Sequence, residues 1–466
     1  MSEPLAIHPQ LLLPAGEPQR GVAAELYDGV AGTPIVSPHG HVDAGLLAQD
    51  APFGDPAALL VTPDHYVTRL LHAHGVALED LRPPAEPRAI WRQLCEHWPL
   101  LAGTVVRLWL ELVLHDVLGV RIAPSAATAD ALFDELSERL ALPESRPRAL
   151  YDRFGIEVLA TTDDPADDLR HHRALAADPS WSGRVVPTFR PDAYLDASHP
   201  DWPARIERLA AAADMDVGTY DDLVTALERR RAFFAEHGAT SSDHGIERLA
   251  TERLDGRDAR RIFAAALRGD CAPQEAHALR AHLLDEMARM ACDDGLVMQL
   301  HPGVLRDHHG PTQRAHGADA GADIPVRAEF THALRPLLER HGTHPRLRMV
   351  LFTVDETAFS RELAPLAGFY PSLFLGAPWW FLDSPAGMLR FRRAVTDTVG
   401  FHRTAGFVDD ARALCSIPAR HEVARRVDCA FLAGLVCEHR LSLTEATTIA
   451  CDLAYELPLQ VFRLGA

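Results

Sequence analysis

His39-Gly40-His41-Val42-Asp43 follows directly on the apolar run Thr33-Pro34-Ile35-Val36-Ser37-Pro38. In a strand, side chains two apart point the same way, so both imidazoles would face one side at its C-terminal end. Converging neutral nitrogens on a rigid element are what a divalent metal requires. The plainer reading, a polar strand end, stands beside it, because the chain has 25 histidines. Other chemistry-bearing residues also close short apolar runs. They are Thr161-Thr162-Asp163-Asp164-Pro165, Phe189-Arg190-Pro191-Asp192, Ser242-Asp243-His244-Gly245, Gln299-Leu300-His301-Pro302-Gly303 with Arg306 beyond, Trp379-Trp380-Phe381, and Asp409-Asp410-Ala411-Arg412.

The runs that would position these residues are β-rich and short: 34–38, 157–162, 185–189, 238–242, 296–300, 349–353, 373–376 and 406–409. A helical stretch follows each. This alternation predicts an α/β fold, a (β/α)8 TIM-like barrel, rather than a doubly wound sheet. In such a barrel the C-terminal strand ends converge on one pocket whatever their separation in sequence. More than a hundred residues of helical pattern separate the first two runs, including 63–73, 90–97 and 105–119. That is too long for a βα loop. The expectation is a large helical insertion after the first strand, over 44–150, capping the barrel mouth. Residues 1–43 would form an N-terminal arm and the first strand, and 151–466 the remainder of the barrel. Charge-rich helices over 203–236 and 256–291 would pack outside, and the Pro/Gly-rich stretches 83–87 and 308–322 read as loops.

At 466 residues the chain can bury a large core, and its net charge of −19 argues against nucleic acid or an anionic membrane as partner. No apolar run approaches membrane-spanning length, and the N-terminus lacks the basic and apolar regions of a signal peptide. A cytoplasmic location is the expectation. The seven cysteines are scattered without CxxC spacing and read as reduced thiols. The chain contains no lysine. Schiff-base chemistry, pyridoxal-phosphate attachment, a P-loop NTPase and a carboxylated-lysine metal bridge are therefore excluded. Many large barrels self-associate, and a homo-oligomer is compatible with this chain.

Each motif also has a purely structural reading. Asp163 or Asp164 could cap a helix with Pro165 at its first position. Trp379 and Trp380 could be core, and Asp243-His244 a hydrogen-bonded pair. Arg190 is harder to dismiss, because an arginine closing an apolar strand needs an anion, whether a protein carboxylate or a ligand. HxH on the first strand, His301 on the fifth and an aspartate on the eighth form the specific signal. Their nitrogen and oxygen atoms suit a borderline divalent metal such as zinc, with a position open to substrate.

Taken in order, these motifs resemble the amidohydrolase superfamily and, within it, uronate isomerase (glucuronate isomerase). The resemblance runs over nearly the whole length. It rests on His39-Gly40-His41, Asp64-His65-Tyr66-Val67-Thr68-Arg69, Thr161–Pro165, Phe189–Asp192, Asp243-His244-Gly245, Gln299–Arg306, Trp379-Trp380-Phe381 and Asp410-Ala411-Arg412 through Arg420-His421-Glu422. The family usually has Thr-Asp-Ser-Arg where this chain has Asp409-Asp410-Ala411-Arg412, and asparagines where it has His308-His309.

The resemblance implies conversion of hexuronates to ketohexuronates, D-glucuronate to D-fructuronate and D-galacturonate to D-tagaturonate, through an enediol. Such a reaction must hold an anion, stabilise charge on oxygen and shuttle a proton between C2 and C1. It implies one divalent metal, zinc, on His39, His41 and Asp410. Asp410 is also a candidate base, His65 and Tyr66 are candidate acid/base and oxygen-positioning groups, and Arg190 and Arg412 are clamps on substrate oxygens. His301, Trp379, Asp243 and His244 would contact substrate, with His301 alternatively a further ligand. The rivals are a metal-dependent hydrolase of the same superfamily, acting on a lactone, amide or phosphoester, and a non-catalytic sugar-acid binder.

Overall fold

The structure is a computed structural model and describes residues 4–465, so residues 1–3 of the expected arm and residue 466 lie outside it. Its strands are β1 (Ile35–Ser37), β2 (Ile156–Ala160), β3 (Arg184–Val186), β4 (Thr188–Phe189), β5 (Ser241–Ile246), β6 (Val297–Pro302), β7 (Met349–Leu351) and β8 (Leu373–Leu375). These eight pair in parallel, β1-β2-β3 in one sheet and β4-β5-β6-β7-β8 in a second, while two further short strands, Val304–Leu305 and Ile324–Pro325, pair antiparallel in the connection after β6. The run expected over 185–189 is split because Pro187 has no N–H to give to a ladder. A bridge between Asp163 and Phe189 joins the two sheets across the break.

The expected strand over 406–409 does not form a ladder. Gly406 takes a φ of +72°, and the Phe407 N–H bonds the Leu453 carbonyl at 3.3 Å instead of a neighbouring strand. The segment still fills the eighth place. Leu375 donates to the Arg403 carbonyl at 2.9 Å and accepts from Ala405 at 2.8 Å, and the His41 N–H reaches the Ala411 carbonyl at 2.8 Å. The order of strands around the molecule is thus that of a TIM-like barrel. β5 lies later than expected because a left-handed Gly238 (φ +93°) ends the preceding helix. Its residues Ser241, Ser242, Asp243 and His244 are polar, so hydropathy does not reveal it.

Between β1 and β2 the chain runs through seven α-helices, from Ala44–Gln49 to Pro147–Arg153. One of them, α1 (His65–Ala73), starts at Asp64, whose Oδ1 accepts the Tyr66 N–H at 2.8 Å. The apolar faces of these helices share one core with β1, β2 and the long C-terminal helix Ser416–Cys437. A second core lies under the helices of 202–294 and 331–395. The 203–236 pattern divides at a left-handed Asp214 (φ +49°), and the 256–291 pattern at Gly269 (φ +76°). Among the described residues no helix is long and apolar enough to cross a membrane.

The Thr161–Pro165 motif is not a helix N-cap, because the first helix after β2 begins only at Arg170. Asp164 instead holds its own turn through the Ala166 N–H at 2.8 Å. Asp163 ties β2 to β4: its N–H meets the Thr188 carbonyl and its carbonyl the Arg190 N–H, both at 3.0 Å. Its carboxyl accepts from Thr161 Oγ1 at 2.6 Å and from the Thr188 N–H at 3.2 Å. Burial pushes that carboxyl up to about 7, against these hydrogen bonds. Between about pH 4 and 7 the folded state therefore keeps a proton that the unfolded state has lost. The stability this group contributes falls as pH rises through that window, by up to about 1.4 kcal/mol per pH unit. Wild type should thus lose stability relative to Asp163→Asn between pH 5 and 8 in thermal melts. Parallel pH profiles for the two proteins would refute this.

Candidate active site

The strand ends and α1 meet in a cleft of about 380 Å³ lined by His39, His41, His65, Tyr66, Arg190, Asp243, His301, Arg306, Trp379, Trp380, Asp410 and Arg412. His39 and His41 leave the end of β1 on one side, as their spacing requires. Gly40 between them is needed for close approach, since a Cβ there would stand 3.2 Å from the Ala411 carbonyl oxygen. This contact brings the eighth segment against the first.

Asp410 sits opposite in a left-handed conformation (φ +45°), which suits aspartate better than most side chains. Its Oδ1 lies 3.1 Å from His41 Nε2 and 3.5 Å from His39 Nε2. The buried Oδ1 makes no hydrogen bond, nor does the buried His39 Nδ1. Trp379 Nε1 holds the other oxygen, Oδ2, at 2.6 Å. Burial by itself would raise the Asp410 carboxyl, but His41, His39 and His301 hold it far below the usual range. Burial likewise pushes His39 down to about 4, against the pull of Asp243 and Asp410, so its ring is neutral. His39, His41 and Asp410 each offer one donor atom within 4.8 Å of the others, and so do His39, Asp243 and His301. In the first set Asp410 Oδ1 has no hydrogen-bond partner and faces both imidazoles, which fits a divalent cation; in the second, His301 and Asp243 already bond to each other.

Asp243 on β5 and His301 on β6 form the next layer. His301 Nδ1 is 2.6 Å from Asp243 Oδ1, and Arg190 Nη1 is 3.3 Å from Oδ2. Burial would raise the Asp243 carboxyl, but His301 and Arg190 keep it well below the usual range. With Nδ1 engaged, His301 presents an unpartnered Nε2 between His39 and Trp379, whose rings lie 4.7 and 4.8 Å away. Arg190 also donates from Nε to Asp192 at 2.8 Å, and Asp192 accepts the Gly245 N–H at 2.9 Å. Gly245 leaves room for the guanidinium, because a Cβ there would fall 2.6 Å from Arg190 Nη2.

The insertion supplies His65 and Tyr66. Both His65 ring nitrogens are buried without a partner, and its ring stacks on Tyr66 at 4.7 Å. Burial, then Arg412, pushes His65 down to about 3, and burial pushes the Tyr66 phenol upward. At neutral pH both are uncharged groups able to hydrogen-bond oxygen. Arg412 reaches Asp319 at 3.3 Å, and the Arg306 guanidinium lies 4.5 Å over the Trp380 ring.

His244 is not brought to the cleft. Strand alternation turns it to the opposite face of β5, fully buried, with Nδ1 at 3.0 Å from the Gln299 carbonyl. Arg306 and Trp380 join the cleft; the sequence motifs around His301 and Trp379 name them but give them no assigned role. The pair Arg420–Asp383 (2.8 Å) was also missed; Arg420 further holds the Asp409 carbonyl at 2.9 Å. Asp409 is fully buried and meets His421 Nε2 at 3.1 Å. These groups fix the backbone beside Asp410. Arg420 and His421 lie within a motif of the sequence, but nothing in it points to Asp383 or Asp409 as their partners.

Known proteins resemble this chain over nearly its whole length. The sequence model of the glucuronate isomerase family matches residues 18–462. A uronate isomerase of Rhizorhabdus wittichii is 53% identical over 463 residues, 99% of each chain. One from Xanthomonas axonopodis pv. citri is 51% identical, covering 99% of this chain and all of the relative. The crystal structure of glucuronate isomerase from Caulobacter crescentus superposes with a TM-score of 0.98 at 47% identity, over 100% of this chain and 98% of the other. The chain belongs to the glucuronate (uronate) isomerase family.

Proposed function

We propose that this protein is an aldose–ketose isomerase that converts D-glucuronate and D-galacturonate to their 2-ketoses by proton transfer through an enediol. The observation that carries the reading is the cleft itself. It combines a guanidinium pair, Arg306 and Arg412, with a carboxylate base, Asp410, and neutral hydrogen-bonding groups, His65 and Tyr66.

Arg412 and Arg306 bind the sugar carboxylate and neighbouring oxygens, for which the guanidinium fork is suited. Asp410, held by Trp379 and flanked by the two histidines, moves the proton between C2 and C1. Tyr66 and His65 donate to the oxygens that carry charge in the enediolate. His301, oriented by Asp243, contacts the substrate through Nε2, and Arg190 keeps that pair in place. A divalent ion, zinc by its nitrogen and oxygen donors, would be held by His39, His41 and Asp410 and would supply fixed positive charge beside the substrate oxygens. We read the helices of 44–150 as a cap over the barrel, whose first strand follows an N-terminal arm and whose remainder lies after residue 150. A cytoplasmic compartment accords with seven free cysteines.

Zinc should raise the thermal transition of chelator-treated protein by linkage, about 2.7 kcal/mol at a hundredfold excess over Kd, and His41→Asn should abolish the effect. No thermal shift in chelator-treated wild type would remove the metal from the proposal. The function is tested by incubating the purified protein separately with D-glucuronate, D-galacturonate, D-glucose and glucuronolactone. Ketose from the two uronates alone is the expected result. Equal turnover of D-glucose would contradict carboxylate recognition, and lactone hydrolysis without ketose would favour the hydrolase, which the family match does not favour.

A further inference from the structure

Three arginines line the cleft, and their partners differ. Arg190 is fixed by Asp192 and by the buried Asp243. Arg306 and Arg412 come from separate loops and share one carboxylate, Asp319. Asp319 Oδ2 lies 3.3 Å from Arg412 Nη1, and Oδ1 lies 3.8 Å from Arg306 Nη1. Among the described residues Asp319 is the sole hydrogen-bond partner of the Arg412 side chain. Arg306 has a second carboxylate, Asp323, at 3.3 Å, which is 3% exposed and accepts the Asp307 N–H at 2.8 Å.

Asp319 itself is 49% exposed. It follows α2 (Gly310–His316), a helix with no buried residue, and has a left-handed backbone (φ +58°) between Gly317 (φ +79°) and Gly321 (φ +90°). Gly321 anchors the loop against α1, since a Cβ there would fall 2.8 Å from the Arg69 Cβ. The loop is therefore fixed at Gly321 and Asp323, while the carboxylate between the two arginines has few contacts to hold it.

We propose that Asp319 is an internal counter-ion of the Arg306–Arg412 pair that a sugar carboxylate displaces, and so a determinant of the site's selectivity for anionic sugars. This rests on the reading that the pair receives the substrate carboxylate. The exchange is carboxylate for carboxylate, so the charge held by the two guanidinium groups is the same before and after. A neutral sugar has nothing to exchange. Arg306 keeps Asp323 as an orienting partner throughout, whereas Arg412 passes from Asp319 to substrate.

The sign of the expected effect is opposite to that of a residue that binds or positions substrate. Asp319→Asn removes the competitor, so an inert open-chain sugar acid should bind more tightly. An exposed ion pair of this kind corresponds to about a two- to fivefold change in Kd. Isothermal titration of wild type and D319N with D-gluconate reads this directly, with D-glucitol as the neutral control. Gluconate binding tightened about two- to fivefold, with glucitol unchanged, is the expected result. Unchanged or weakened gluconate binding in D319N, or an equal gain for glucitol, would overturn the proposal. Calorimetry needs no turnover, so it decides this point even if the isomerase reading fails.

Discussion

Asp410→Asn is expected to lower kcat for D-glucuronate by about a thousandfold or more while leaving the protein folded. A positioned general acid or base contributes roughly 10²–10⁴, and this carboxylate also faces His39 and His41 at 3.5 and 3.1 Å. The amide keeps the shape and can still meet Trp379 Nε1, which lies 2.6 Å from Oδ2 in the wild type. It lacks the charge and the basicity. Initial-rate kinetics beside a circular dichroism spectrum separate the two effects. A loss of less than tenfold with native spectra would mean that another group moves the proton.

The second large effect concerns stability. Asp243 is 1% exposed and stands between Arg190 at 3.3 Å and His301 at 2.6 Å. Removing one member of a buried pair costs up to about 3–5 kcal/mol when the other charge is left unpaired; Arg190 keeps Asp192 at 2.8 Å, which offsets part of that cost. Asp243→Ala should therefore shift the urea midpoint far to the left, and kcat should fall as well because His301 loses the group that orients it. Adding Arg190→Met to Asp243→Ala should recover part of the lost stability, a non-additivity expected of direct partners. Additive losses would show that the two residues are not coupled, and Arg190 would then need another explanation.

Much of this site was legible because strand geometry is regular. The spacing of His39 and His41 places both on one side of a strand end, and the barrel rule gathers Arg190, Asp243, His301, Trp379 and Asp410 to the same mouth. The same alternation should have excluded His244, the neighbour of Asp243. The exact frame of β5 decides which of the two points inward, and its polar sequence hid that frame. The eighth strand was legible as a place but not as a ladder, since Gly406 and the Leu453 carbonyl redirect its hydrogen bonds. Asp319 could not be read at all. It lies in a glycine-rich loop without periodicity, and only the folded chain sets it between Arg306 and Arg412. The Arg420–Asp383 pair is similar: a helix and a loop 37 positions apart meet through packing that no local pattern encodes.

The central claim is that the cleft moves a proton between C2 and C1 of a free hexuronate. The most direct measurement is conversion of D-glucuronate and D-galacturonate by zinc-loaded protein in D2O, followed by NMR. The account predicts the 2-ketose from both, with solvent deuterium at C1. Absence of ketose from both sugars would contradict it.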